Sequence, residues 1–325
     1  MQPASGPHGR PPLFPAASWT DLASRGTVRA TGGAAATFVD KFTTAAVGTL
    51  APGDGTEGMF ADVRGWVIAL AAILRTDDGL LIDCDVAVAA TLRDHLEHYH
   101  IREDVVLVDA SGDERCVAIV GPGAARWLAD RLGSDVPTGP LRHRSIHFGR
   151  TGAVVVAVDW FGADGFLVRV PANDLSALHD WFAAEGLPRG DAAALDALRI
   201  EQRFPLARDI PEKTLPQELD RTARAISFTK GCYLGQETVA RIDALGHVNR
   251  TLVLVVVEGD DVPPAGAVVS CGGNDVGTFT SSCVSPRLGA CGLAIVHRRG
   301  LEPEATLTVA GRAARIVSRD TSTEA

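Results

Sequence analysis

Apolar positions recur along this chain in two rhythms. Up to about residue 245, strand-like runs are interleaved with stretches whose apolar residues fall three and four apart; beyond that only strand-like runs remain. Trp66 to Arg75 and Leu80 to Cys84 are apolar runs joined by Asp77-Asp78-Gly79, whose glycine suits the positive-φ position of a hairpin. Val88, Leu92, Leu96 and Tyr99 then share one face of a helix over Ala87 to His100, and Val105 to Val108 reads as a strand. Cys116 to Val120 is a further strand, and Gly121-Pro122-Gly123 leads into a helix from Ala124 to Leu132. Ala153 to Trp160 and Phe166 to Val170 are β-rich runs around Gly162-Ala163-Asp164-Gly165. Asn173 or Asp174 can cap a helix reaching Ala184, and Asp191 one from Ala192 to Gln202.

Strands joined this often by short turns predict an α+β domain rather than a doubly wound parallel sheet. From Thr251 onward, short β runs follow at Leu252 to Val257, Ala267 to Ser270, Val276 to Thr280, Ala290 to Val296, Thr306 to Val309 and Ala314 to Val317. Their even spacing predicts a small β-barrel or sandwich. We therefore expect a leader over residues 1–18, a mixed domain over 19–248 and a β domain over 249–325, with the boundary near Gly246 to Arg250. Phe38 to Leu50 mixes apolar residues with threonine and ends in the turn-rich Ala51 to Gly55. The leader holds five prolines and lacks the apolar run of a signal peptide, so it reads as flexible.

Composition narrows the function classes. The chain has 325 residues, 46% of them hydrophobic, and a net charge of −9, which argues against a nucleic-acid partner. Its longest apolar run, Trp66 to Leu74, is under half of what a helix needs to cross a bilayer, so no membrane partner is expected. Six cysteines without a C-x-x-C pair fit a reducing cytoplasm and mostly buried thiols.

One segment departs from this background. Lys230-Gly231-Cys232-Tyr233-Leu234-Gly235-Gln236-Glu237 places a thiol ahead of the helical run Gln236 to Ala244. A cysteine at a helix start, with a lysine two residues earlier, is favoured as thiolate. Gly231 would let a ligand approach the backbone. The alternative is that Cys232 and Tyr233 simply pack between helix and sheet. A second cluster, Leu198-Arg199-Ile200-Glu201, ends a helix; residues two apart do not share a face, so one of Arg199 and Glu201 is expected to reach inward and the other to be solvated. A carboxylate suits the paired donors of a pterin.

Other signals fall short. Gly121 to Arg126 has arginine where a dinucleotide fingerprint needs its third glycine. His95, His98 and His100, and the pair His143 and His147, lack the H-E-x-x-H pattern and read as solvated. Cys271, Cys283 and Cys291 match no common metal or cluster spacing.

Lys230 to Glu237 resembles the signature of the YgfZ group within the YgfZ/GcvT family, and Leu198 to Glu201 resembles that family's L-R-I-E segment. Val117 to Pro122 and Val276 to Ser281 resemble its other landmarks. The resemblance implies an aminomethyltransferase-like folate-binding domain followed by a small C-terminal β-barrel. It also implies tetrahydrofolate, or a one-carbon derivative, as cofactor, no bound metal, and iron–sulfur client or assembly proteins as partners. In that picture Cys232 and Lys230 are the reactive pair, handling a one-carbon unit or sulfur-related intermediate, and Glu201, Arg199, Tyr233, Gly231 and Gln236 contact folate. The implied role is support of iron–sulfur cluster assembly or maintenance; the alternatives are a tetrahydrofolate-dependent aminomethyltransferase of the glycine-cleavage type and a folate-sensing scaffold.

Overall fold

The computed structural model describes residues 16–133, 136–162 and 165–318. Most of the expected leader, and the turn residues 163–164, lie outside these; Ser18, assigned to the leader above, already belongs to a strand. Two five-stranded antiparallel sheets form the first part of the chain. One has the order β1-β7-β10-β9-β8, from Ser18–Asp21 (β1), Glu114–Val120 (β7), Gly165–Pro171 (β10), Thr151–Val158 (β9) and His143–Phe148 (β8). The other runs β3-β4-β5-β2-β6, from Gly55–Ala61 (β3), Val67–Arg75 (β4), Gly79–Asp85 (β5), Arg25–Thr31 (β2) and Val106–Asp109 (β6).

The sheets pack against each other through Met59, Leu70, Leu74 and Leu81 on one side and Cys116, Ala118, Val156 and Leu167 on the other. Burial on both faces explains why β4 and β5 read as continuous apolar runs rather than alternating ones. The outer face of one sheet is covered by Ala35–Asp40 (α1) and Val86–His98 (α2), and that of the other by Ala124–Leu132 (α3) and Leu175–Ala184 (α4). The result is four layers, helix–sheet–sheet–helix.

Ala192–Glu201 (α5), a single turn at Thr222–Ala225 (α6) and Gln236–Leu245 (α7) follow. Asp85 and Asp191 cap α2 and α5 by accepting the N–H groups of Ala87 and Ala193. Six strands then close into a barrel in the order β11-β14-β13-β12-β15-β16. They are Arg250–Val257 (β11), Val268–Cys271 (β12), Asn274–Ser285 (β13), Gly289–His297 (β14), Leu307–Val309 (β15) and Arg312–Ile316 (β16). Val255, Phe279, Val296 and Val309 fill its interior, while Leu252, Leu254, Cys291 and Leu293 face Ile200 of α5. No helix among the described residues is long and apolar enough to cross a membrane.

Candidate functional site

The Lys230–Gln236 segment is an irregular turn laced to residues 40–45, far away in sequence. Leu234 N–H donates to Lys41 O at 2.9 Å and Ser227 N–H to Thr44 O at 2.9 Å, while the Thr44 hydroxyl donates to Ala225 O at 2.6 Å. The Lys230 side chain, 3% exposed, passes into this seam. Its ammonium donates to the carbonyls of Asp40, Thr43 (2.9 Å) and Ala45 (2.7 Å) and faces the Asp40 carboxylate at 3.2 Å. An ammonium has three protons, and three carbonyls take them. None is left for the Cys232 sulfur, so Lys230 fixes the turn rather than donating to the thiol. Burial draws the Lys230 pKa below the usual lysine value, against the pull of Asp40.

Cys232 itself is exposed. It stands three residues before Gly235, which has φ +82° and precedes the first residue of α7, so the thiol lies on the approach to the helix and not in its first turn. Tyr233 is buried, which pushes its pKa up to about 12, and its ring lies 5.2 Å from the Lys230 ammonium. Gln236 accepts the Tyr233 N–H at 3.4 Å. A Cβ on Gly231 would meet nothing within 4 Å, whereas one on Gly235 would stand 2.8 Å from Asp62 O. Gly235 is therefore required both for its backbone angle and for close approach to the 62–65 turn.

Arg199 and Glu201 have a different setting. Arg199 reaches inward as one alternative required: its guanidinium donates to Asp196 (2.6 Å), Phe204 O (3.2 Å), Asp209 (2.8 Å) and the Ser281 hydroxyl of the barrel (2.8 Å). Glu201 is not solvated, contrary to the expectation for its partner position. Its side chain is 3% exposed, accepts the Ser285 hydroxyl and pairs with Arg287. The barrel, invisible to a helix-face argument, covers what would have been the free side. Both residues thus join α5 to β13 and the turn after it.

The centre of the sheet-on-sheet interface holds further charges. Asp83 receives Arg25 and Arg169, all three nearly fully buried. Glu57 is gripped by one edge of the Arg221 guanidinium, Nε at 2.7 Å and Nη2 at 2.6 Å, and accepts the Trp160 indole N–H at 3.3 Å. Burial pushes the Glu57 carboxyl up, but Arg221, Arg224 and Trp160 together hold it below the ordinary glutamate value. Trp160 stacks on Phe204 with centroids 4.1 Å apart, and the Arg25 guanidinium lies 4.9 Å from the Trp160 ring.

Tetrahydrofolate can be tested against this packing. The space beside the stack, bounded by Arg25, Val67, Leu70, Asp85, Pro205 and Ile210, measures about 50 Å³, against roughly 300 Å³ or more for a small-molecule site. Asp85 has its oxygens bonded to the N–H groups of Ala87 and Ala207. Two larger hollows, about 590 Å³ by α3 and about 530 Å³ between β2 and the β8–β9 hairpin, are lined by none of Glu201, Arg199, Tyr233, Gly231 and Gln236. As packed here, these residues do not fit a folate.

A four-layer, two-sheet domain joined through α5 to a closed six-stranded barrel defines an aminomethyltransferase-type fold. The family comparison makes that specific: residues 15–230 match the GCVT N-terminal domain and residues 249–322 the C-terminal β-barrel domain of CAF17, so the chain belongs to the GCVT family. The glycine cleavage system aminomethyltransferase T of Bartonella henselae superposes with a TM-score of 0.82 over 96% of this chain and 87% of that one, at 19% identity. Sequence relatives include a chloroplastic Arabidopsis thaliana protein described only provisionally as a transferase, 25% identical over 92% of this chain and 69% of its own length. The mitochondrial aminomethyltransferase of Gallus gallus is 27% identical over 84% of this chain and 72% of its own.

Sequence reading missed the partners of the turn. Asp40, Thr43 and Ala45 lie in a stretch read only as mixed; the structure fully buries its adjacent threonines, Thr43 and Thr44, and engages both hydroxyls inside the fold. It also missed Glu57 with Arg221, whose pairing no local spacing discloses. His143, read as solvated, is buried, while His98 and His147 are exposed.

Proposed function

We propose that this protein is an accessory factor in the assembly or maintenance of iron–sulfur clusters in client enzymes, acting through Cys232. The observation that carries this reading is a contrast within one turn. Lys230, Tyr233 and Gly235 are buried or tightly fitted, yet the thiol they frame is exposed. Phe228, close by in the chain, is 48% exposed. A fixed thiol on an open surface suits a sulfur-bearing or one-carbon-bearing group presented by a partner protein better than a small substrate sunk in a pocket. Lys230 acts here as a positioning residue. A reducing compartment such as the cytoplasm is the setting this reading requires, since an exposed thiol must stay reduced to act.

Membership of the GCVT family supports tetrahydrofolate, or a one-carbon derivative, as ligand. Glu201, Arg199, Tyr233, Gly231 and Gln236 are its proposed contacts, and for Glu201 and Arg199 the ligand would have to displace Ser285, Arg287 and Ser281 of the barrel. Calorimetric titration of wild type and Glu201→Ala with tetrahydrofolate tests this: binding weakened by the substitution supports it, and absence of binding by the wild type removes folate from the proposal. The aminomethyltransferase reading draws support from the relatives. It needs a free carboxylate beside the folate, and among the described residues the one carboxylate lining the small space beside the Trp160–Phe204 stack, Asp85, is taken up by the N–H groups of Ala87 and Ala207. Tetrahydrofolate-dependent release of ammonia from an aminomethyl-loaded lipoyl carrier would restore it.

The deciding experiment replaces the cell's own copy with Cys232→Ala. We expect an unchanged far-ultraviolet spectrum and melting profile with loss of iron–sulfur enzyme activities. Full support of those enzymes by the variant would sink the proposal.

A further inference from the structure

A second pair of thiols lies on the barrel, away from Cys232. Cys283 of β13 and Cys291 of β14 are directly opposite in the antiparallel register, with their sulfurs 3.6 Å apart. Residues so opposed have Cα atoms about 4.5–5.5 Å apart, inside the roughly 4.4–6.8 Å that a disulfide spans. Closing the gap needs side-chain rotation and no movement of the strands. The two sulfurs are unequally placed: Cys291 is buried against Ile200, Leu252 and Leu293, whereas Cys283 is partly exposed. The hydrogen bond between them raises the pKa of Cys283 and lowers that of Cys291. One sulfur therefore holds the proton for the other.

The pair also sits on a seam. Ser281, two residues before Cys283, binds Arg199 and Asp209, and Ser285, two residues after it, binds Glu201. Both serines link the barrel to α5 and the loop that follows it.

We propose that Cys283 and Cys291 form a redox-active dithiol that a small-molecule disulfide of the glutathione class converts into a cross-strand disulfide, reversibly, at the junction of barrel and α5. Cys283 is the sulfur such a reagent can reach. Cys291 first gives its proton to water; as Cys283 attacks, its own proton passes to the Cys291 thiolate, a bond forms between Cys283 and one sulfur of the reagent, the reagent's S–S bond breaks, and the first thiolate leaves and takes a proton from water. Cys291 then returns its proton to water and attacks the Cys283 sulfur, and the second small thiolate leaves and is protonated. Two cysteine thiols are oxidised and one small disulfide is reduced to two thiols.

The test uses the full chain carrying Cys232→Ser, which removes the exposed competitor. It is equilibrated with oxidised and reduced glutathione in varying ratio, quenched with acid, alkylated and weighed intact. The expected result is joint loss of two alkylatable thiols, a mass lower by two hydrogens, a peptide linking residues 283 and 291, and reversal by dithiothreitol. Adding Cys291→Ser should stop the reaction at a glutathione adduct on Cys283. Full alkylation of both cysteines even in pure oxidised glutathione would overturn the proposal, as would a glutathione adduct that persists on Cys283 with Cys291 present.

Discussion

The Lys230 ammonium meets the Asp40 carboxylate at 3.2 Å beneath the turn that displays Cys232. Asp40 also accepts the N–H groups of Val47 at 2.7 Å and Gly48 at 3.0 Å, so one carboxylate organises the loop on which the turn rests. Removing the cation leaves three inward-facing carbonyls and a carboxylate without their donor. Lys230→Met should therefore cost about 2–4 kcal/mol in urea unfolding. Lys230→Arg should recover little, because a planar fork does not match three converging carbonyls.

Cys232 should be the first of the six thiols to react with iodoacetamide in the native protein. Cys84 and Cys116 are buried, which pushes both pKa values up to about 12, and neither should be modified before unfolding. Peptide mapping of a time course checks the order. Cys232→Ala should leave stability within about 0.5 kcal/mol of wild type, as for an exposed side chain.

Much of the architecture behind these predictions was visible in the sequence. The bounds of α5 and α7 follow from Asp191 and Gly235, and each barrel strand contains or overlaps an apolar run marked out by turns. Four strands escaped notice, β1, β2, β3 and β8, for physical reasons. β1 is only four residues long and β2, Arg25-Gly26-Thr27-Val28-Arg29-Ala30-Thr31, carries two arginines and a glycine; β8, His143-Arg144-Ser145-Ile146-His147-Phe148, carries polar side chains on a partly open face, and β3 has two glycines and a buried glutamate. At the candidate site the sequence singled out the thiol turn but not its support. The Lys230 contact with Ala45 spans 185 residues, and only the folded chain brings the two together.

Acid should unlock the centre of the first domain. Glu57 has a depressed pKa in the folded state, so its ion pair contributes stability fully above the unfolded value, about 4.3, and loses it as pH falls through the folded value. Glu57→Gln should be less stable than wild type at pH 7, with a shallower decline on acidification below about pH 4. Urea midpoints measured between neutrality and about pH 3 test the slope.

Arg199→Ala should loosen the barrel from α5. It removes four hydrogen bonds to Asp196, Phe204, Asp209 and Ser281 and leaves the fully buried Asp209 without its cation. The expected loss is about 3–5 kcal/mol, accompanied by faster proteolysis between residues 201 and 250. A melting curve and cleavage pattern like wild type would contradict this account.

Gly235→Ala should be the most damaging single methyl in the thiol turn. It combines a left-handed backbone angle with a Cβ 2.8 Å from Asp62 O, a loss of at least about 1–2 kcal/mol from the angle alone. Gly231→Ala, where a Cβ has open space, should be nearly silent in the same melting experiment.

The closed barrel limits how a partner can be recognised. A sheet rolled on itself offers no strand edge, so an incoming peptide cannot extend it and must read its side chains. Strand addition is left to the two open sheets. There, β1 is bonded along its outer edge to residues 188–190 and β3 to residues 43–44. Among the described residues this leaves β6, with Val106 and Val108 exposed, and the part of β8 beyond His143, whose N–H donates to Gly53 O, as the margins where an incoming peptide could add a strand.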